Sequence, residues 1–283
     1  MRIVASYTLG NGQVITRTYD ANDQVTDINS PAFSLHLARD VMGNVIALGN
    51  AHGASPATET YGYDPLYRLT ADNGSAGVAS EVYTYNKTGD RLSKVAPGLL
   101  TGSYSYEVGT HHLVGVGATV RLVDARVNTT ADALPSGVFG YGHSQRNRLT
   151  TVQIGGGTVG TYAFNAMGER VQKTAGTVTT WFDYDEGSHL LGENAGAIAR
   201  DYVSMDELPV GVVDGSGSSA VVRFIHADGL GSARAVTDIG GTVQWQWPYA
   251  SNPFGEEAPI SANGFMLNLR LPGQYFDAES GLN

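Results

Sequence analysis

The 283 residues include 37 Gly and 10 Pro, a turn-forming share above average usage, while aromatic residues make up 9% and charged residues only 16%. This composition excludes long helices, a coiled coil, a disordered chain and, without a Gly-x-y period, collagen; a folded, turn-rich β protein of one or two domains is expected. The 17 Lys and Arg against 27 Asp and Glu leave a net charge of −10, which removes the basic footprint of a nucleic-acid binder.

Cysteine is absent, which excludes disulfide scaffolds, thiolate nucleophiles and Cys-based zinc sites and leaves the compartment open. No apolar run approaches the ~18 residues of a membrane span. The start, Met1-Arg2-Ile3-Val4-Ala5-Ser6, leads into polar, alternating sequence instead of a signal-peptide core. Met1 is compatible with a new start on a fragment.

In chain order, one unit recurs. It begins as Tyr19-Asp20-Ala21-Asn22-Asp23 and Arg39-Asp40-Val41-Met42-Gly43, and sharpens at Tyr61-Gly62-Tyr63-Asp64-Pro65-Leu66-Tyr67-Arg68-Leu69, which reads as shortened by one residue after its turn. The clearest pair is Tyr83-Thr84-Tyr85-Asn86-Lys87-Thr88-Gly89-Asp90-Arg91-Leu92 against Tyr162-Ala163-Phe164-Asn165-Ala166-Met167-Gly168-Glu169-Arg170-Val171. Weaker copies are Tyr104-Ser105-Tyr106-Glu107, Phe139-Gly140-Tyr141-Gly142-His143 and Phe182-Asp183-Tyr184-Asp185. The spacing is 20 to 24 residues, with a 36-residue interval between Glu107 and His143 that reads as an insertion.

Each unit predicts a hairpin. Aromatics at i and i+2 share a strand face, the Asp or Asn starts a turn by bonding the backbone two residues on, and Gly three residues later accepts positive φ. The Arg-Leu or Arg-Val pair then opens the return strand, one side chain to each face. Tyr67 and Arg146 fall in the Gly slot of two copies, so those turns are expected to differ in type. A lone hairpin cannot bury its aromatic face, whereas stacked hairpins can.

These units resemble the YD repeats of Rhs proteins, toxin-complex shell proteins and teneurins. A second stretch is more specific: Arg223-Phe224-Ile225-His226-Ala227-Asp228-Gly229-Leu230-Gly231-Ser232-Ala233-Arg234, with Trp245, Trp247, Pro253-Phe254-Gly255-Glu256 and Gly273-Gln274-Tyr275-Phe276-Asp277 behind it, resembles the Rhs-repeat-associated core. The resemblance implies a YD-repeat array over 1–220 continuous with a core segment over 221–283. It implies an all-β fold of hairpins stacked into a curved, spiralling antiparallel sheet, part of a hollow cocoon around a C-terminal toxin. The wall of such a cocoon needs no catalytic residue or cofactor. Implied partners are the remaining shell segments, a toxin cargo and, in bacteria, type VI secretion components. The implied destination is secreted or cell-surface after a cytoplasmic stage, by a route other than a Sec signal in this chain. The family's core continues past Gly281-Leu282-Asn283 to an aspartyl autoprotease and its cleavage site. Neither can be carried onto a position here, so no self-cleavage by this chain is expected. Some ten units are too few to close a cocoon, and unpaired strand edges at the two ends would favour association, including self-association.

Other motifs weigh toward structure. His226 and Asp228 could share a strand face as a catalytic or metal pair, but no third ligand is nominated and a turn through Gly229 and Gly231 explains them. His111-His112 would point to opposite faces if extended. The glycine clusters at 155–160 and 211–217 lack the phosphate-loop order, Asp20-Ala21-Asn22-Asp23 lacks the Gly and Glu of a calcium loop, and Asp183/Asp185 and Glu256/Glu257 are routine in such repeats. Trp245 and Trp247 share a face that could stack a sugar, which defines the competing reading of a cell-surface adhesin or carbohydrate-binding module; packing against a neighbouring strand explains the row equally and is favoured. A degenerate hydrolase on His226 and Asp228 is a further reading.

Overall fold

The computed structural model describes residues 4–75, 79–96, 101–134, 136–196, 198–250 and 252–283. Met1 to Ile3 of the start quoted above lie outside them. The described residues form strands and one short 3-10 turn at Gly217–Ser219. An 11-stranded sheet runs from Ser6–Thr8 to Leu113–Val116 and a 14-stranded sheet from Val120–Val123 to Ile260–Ser261. In both, spatial order is chain order, every pairing is antiparallel, and neither sheet closes into a barrel. A tight turn joins the sheets: Thr119 donates its N–H to the Val116 carbonyl, and its hydroxyl oxygen accepts the Val116 N–H, each at 3.0 Å.

The turn of the repeat has one construction. The Asn86 side-chain oxygen accepts the N–H groups of Thr88 (3.0 Å) and Asp90 (2.9 Å), while its own N–H donates to the Asp90 carbonyl (2.9 Å). The same pair of backbone donors reaches Asp20, Asp40, Asp64, Asp124, Ser144, Asp185 and Asp228. Two orphan donors are thereby satisfied at each of these tips, the property that makes short polar side chains turn formers, while Asn165 accepts only the Glu169 N–H among the described residues. The third residue on is left-handed, as at Gly89 (φ 104°) and Gly168 (φ 89°).

This geometry corrects four sequence expectations. Tyr67 (φ 60°) takes the same left-handed conformation as glycine does elsewhere, because Asp64 receives its two backbone donors and the Arg68 guanidinium at 2.6 Å, which over-determines the turn. The Asp64 unit is also full length, since Tyr63 pairs with Leu69 as Tyr85 pairs with Arg91. The unit assigned to His143 is shifted by one: Ser144 holds the Asp position, His143 the second aromatic slot, and Asn147 (φ 57°), not Arg146, the Gly slot. The apparent insertion before it contains a complete repeat centred on Asp124, with Val127 (φ 67°) in the left-handed slot.

Beside each turn the return strand carries a bulge, so that Tyr85 faces both Arg91 and Leu92, and Phe164 both Arg170 and Val171. Arg and the following aliphatic residue thus go to opposite faces, and Leu92 is exposed. The second aromatic of a unit ties it to the unit before. The Tyr85 phenol donates to the Leu69 carbonyl (2.8 Å), Tyr63 to Val45 (2.7 Å), Tyr106 to Arg91 (2.9 Å) and Tyr184 to Arg170 (3.0 Å), each acceptor being the first residue of the preceding return strand.

Alternation places Ile15, Ile28, Leu35, Leu48, Tyr83, Phe139, Tyr162 and Phe182 on a buried inner face, while Val14, Val82, Val138 and Trp181 face out. The strip curls until its beginning meets its end, where Leu9, Ile15, Ile28, Leu35 and Leu48 pack against Phe224. A second core joins Ile225, Val236, Trp245 and Trp247 to Phe265 and Leu267 of the returning C-terminal segment.

Replacing Tyr85 by Phe removes one inter-hairpin hydrogen bond and keeps the ring. Urea unfolding should show a loss of about 1 kcal/mol with an unchanged m-value; a loss near zero would mean that the phenol does not tie the hairpins.

Candidate functional site

The core motif lies at the seam where the strip meets itself. His226 is fully buried in the Val221–Ala227 strand, with Nδ1 2.7 Å from the Ser30 hydroxyl and Nε2 3.0 Å from the Thr237 hydroxyl. Burial pushes its imidazole down to about 4, so the ring is neutral at physiological pH. Around it Asn11 donates to the Asp238 carbonyl (3.1 Å), the Thr237 hydroxyl to Gln13 (2.8 Å) and Gln246 to the Ala32 carbonyl (3.2 Å). These bonds lock the first hairpins onto the last ones.

Asp228, at 1% exposure, accepts from the N–H groups of Leu230 and Ser232, from Arg234 Nε (2.8 Å) and from the Tyr249 phenol (2.8 Å). Its bonding capacity is spent on holding the turn and the Arg234 cation. Gly231 (φ 89°) is the left-handed residue of that turn, and a Cβ on Gly229 would sit 3.5 Å from Val25 across the seam. The structure thus gives His226 and Asp228 separate hydrogen-bond partners. Ser30, Arg17 and Arg234 complete the seam, Arg17 donating to the Asp228 carbonyl at 3.0 Å; Ser30 lies 196 positions from its partner, beyond the reach of any local motif.

Trp245 and Trp247 are 0% and 2% exposed. The Trp247 indole N–H donates to the Glu257 carbonyl (2.8 Å), and Arg234 and Arg270 lie 4.7 and 5.6 Å from its ring. Neither indole offers a face to a sugar. Burial among these rings lowers the Arg270 guanidinium to about 10. Gly273 (φ 76°) turns the chain so that Tyr275 and Asp277 cross the inner face, where Asp277 meets Arg170 and Lys173.

A row of buried carboxylates on neighbouring strands had no counterpart in the motif reading. Glu59, Asp72 and Glu81 are at most 1% exposed. The Tyr61 phenol donates to Glu59 (2.8 Å) and the Tyr83 phenol to Glu81, whereas neither oxygen of Asp72 accepts a hydrogen bond among the described residues. Burial, then Glu59 and Glu81, push the Asp72 carboxyl up to about 7. Among the described residues no three His, Asp or Glu side chains form a metal-binding group, and no helix is long and apolar enough to cross a membrane.

Clefts among the described residues include one of about 1090 Å³ beside the seam, bordered by Arg17, Tyr61, Asp228 and Tyr249, and one of about 540 Å³ near Arg200, Phe265 and Tyr275.

A strip of consecutive hairpins, curled on itself without closing a barrel and crossed inside by its own C-terminal segment, defines an all-β stacked-hairpin repeat protein. Among solved structures it is similar to a chain of the Photorhabdus luminescens Tc holotoxin pore carrying the TccC3 mutation D651A, with a TM-score of 0.69 and 16% identity over 97% of this chain. TcdB2-TccC3 gives 0.69 and TcdB2-TccC3-Cdc42 gives 0.70, each at 16% identity over 97% of this chain. The chain spans only 16% to 17% of the length of those chains. No protein-family model matches the sequence, and no curated protein matches it. At this identity the likeness is one of fold: the stacked-hairpin architecture expected from the YD-repeat resemblance is shared with these Tc toxin chains.

Two buried groups set opposite pH dependences. An unfolded Asp72 releases its proton near 3.8 and the folded one near 7, so the folded state holds the extra proton in that window and loses ~1.4 kcal/mol per pH unit as pH rises through it. Asp72→Asn should therefore raise stability at pH 7.5, by a few kcal/mol, and have little effect at pH 4, as read by urea unfolding at both values. For His226 the unfolded ring takes a proton below 6.5 and the folded ring only near 4, so stability should fall by on the order of 3 kcal/mol as pH drops through that window. A His226→Gln variant that folds should lose this acid-side slope.

Proposed function

We propose that the chain is a structural, non-catalytic segment of an Rhs/YD-repeat toxin shell, with the array over 1–220 running into the core segment over 221–283. The supporting observation is a strip of hairpins in unbroken chain order that superposes over 97% of its length on Tc toxin chains. Its proposed partners are proteins: the remaining shell segments, a C-terminal toxin cargo that the assembled shell encapsulates, and type VI secretion components. The proposed route is export from the cytoplasm to the outside or the cell surface.

Volume sets the division of labour. A 100-residue domain with a radius of gyration near ~13 Å fills on the order of 10⁴ Å³, about ten times the 1090 Å³ cleft. Enclosure of a folded cargo is therefore a property of the longer strip, to which this segment contributes wall and seam. The buried, bonded state of His226 and Asp228 supports the non-catalytic reading, and the burial of Trp245 and Trp247 weighs against an adhesin that stacks sugars on them.

Co-expression with the neighbouring shell segments should give a complex, seen by native mass spectrometry, in which a fused cargo resists protease, while the chain alone leaves the cargo digestible. Protection by the chain alone would contradict the proposed division of labour. Incubation of the pure chain should leave its mass unchanged; two defined fragments would contradict the non-catalytic reading.

A further inference from the structure

The two most similar repeats share a feature beyond their turns: Arg91-Leu92-Ser93-Lys94 in one and Arg170-Val171-Gln172-Lys173 in the other, at the same offsets. The bulges beside Tyr85 and Phe164 bring the first and fourth residues of each tetrad to the inner face. Lys94 is 1% exposed and Lys173 8%. An ammonium so buried requires an anion.

The C-terminal segment supplies one to each. Glu256 pairs with Lys94, which also has Glu81 at 3.8 Å. Asp277 and Glu279 lie 3.1 and 3.3 Å from Lys173. Two residues before each carboxylate comes an aromatic ring under the tetrad's arginine, with Arg91 4.3 Å from the Phe254 centroid and Arg170 4.9 Å from that of Tyr275. Each ring also meets a strip aromatic edge-on at 5.3 Å, Phe254 against Tyr83 and Tyr275 against Phe182. Phe254-Gly255-Glu256 and Tyr275-Phe276-Asp277 thus each set a ring on the tetrad's arginine and an acid on its lysine; the second set differs in that Tyr275 meets Phe182 of the next hairpin and Asp277 also pairs with Arg170. The corresponding positions of other repeats hold Val45 and Leu48, Leu69 and Asp72, Leu149 and Val152, or Leu190 and Glu193; none carries the cation pair.

The second site is further shaped for its occupant. Glu59 and Glu81 accept the phenol two residues along their own strands. The equivalent place before Tyr162 is Gly160, and there the Tyr162 phenol donates to Glu279 (3.0 Å). A Cβ on Gly160 would lie 2.7 Å from the Tyr162 hydroxyl and 3.2 Å from Glu279 Cγ, so the missing side chain leaves the opening that the phenol and the segment's glutamate share.

We propose that each Arg-x-x-Lys hairpin is a peptide-binding socket for a short segment with an aromatic residue two places before a carboxylate, and that the C-terminal segment, occupying both sockets in cis, is latched across the inner face by them. Cation–π attraction selects the ring and the buried lysine selects the acid. The first socket is the more open, with Glu256 and Phe254 about 40% exposed against 8% for the Asp277 side chain, so it should release first.

The test uses the full chain with changes on the segment, which leave the strip intact. Phe254→Ala with Glu256→Gln should speed limited proteolysis within residues 252–259 at least fivefold, and Tyr275→Ala should do so within 271–283, with native circular dichroism in both. The emptied first socket should bind a fluorescent peptide of sequence Pro253–Ala258 by anisotropy, at least tenfold tighter than the same peptide with Phe→Ala or Glu→Gln. Wild-type cleavage rates in both variants, no binding of the motif peptide, or equal binding of motif and substituted peptides would each overturn the proposal. Should the double change disturb folding, Glu256→Gln alone carries the same readouts.

Discussion

Much of this architecture depends on a side-chain oxygen that accepts two backbone N–H groups at most of the repeat turns. At Asn86, Asp64 or Asp124 this bond pair fixes where the strand reverses, and the left-handed residue three places on fixes the twist of the return. A shift of one residue would carry a whole strand's inner side chains to the outer face. The turn therefore decides which side chains become the interior, and the phenol-to-carbonyl bonds of Tyr63, Tyr85, Tyr106 and Tyr184 carry that register from one hairpin to the next.

The interior so defined is unusually polar for a core. Glu59, Asp72, Glu81, Lys94, Lys173, Asp228 and Arg234 are all nearly or fully buried. Most are balanced by a specific partner, as with Arg234 on Asp228 or Lys173 on Asp277, and the desolvation of such pairs offsets much of their attraction. Asp72 is the exception: wedged between two other carboxylates with no hydrogen-bond donor among the described residues, it keeps its proton up to about 7. The inner surface is thus chemically distinct from the outer one, where Val14, Val82 and Trp181 face out.

What the sequence made legible follows the reach of its local chemistry. Tyr83-x-Tyr85-Asn86-x-x-Gly89 states aromatic face, turn and left-handed residue within seven positions, and the fold follows from stacking such units. The Asp124 repeat escaped because Val123 and Val127 replace the aromatic and the glycine, leaving only the aspartate as a signal. The Ser144 repeat slipped by one because histidine and serine stand in for tyrosine and aspartate while Tyr141 still offered an aromatic. In the core motif the sequence marked His226 and Asp228 as notable but could not supply Ser30, Arg17 or the buried state that makes the imidazole neutral. Lys94 and Lys173 read as ordinary strand lysines, since their acids lie 162 and 104 positions away.

The same long-range contacts explain why a strip of this length is filled instead of hollow. Hairpins in chain order impose curvature, and a single curl already brings Leu9 and Ile15 onto Phe224, so the opposing walls pack directly. The C-terminal segment then occupies the remaining inner surface through Phe265, Tyr275 and Asp277. Enclosed volume in such a protein is set by how many hairpins separate the two faces that meet, while the chemistry of each hairpin stays constant. Lengthening the strip between fixed seam residues would move the two packed faces apart without altering one turn.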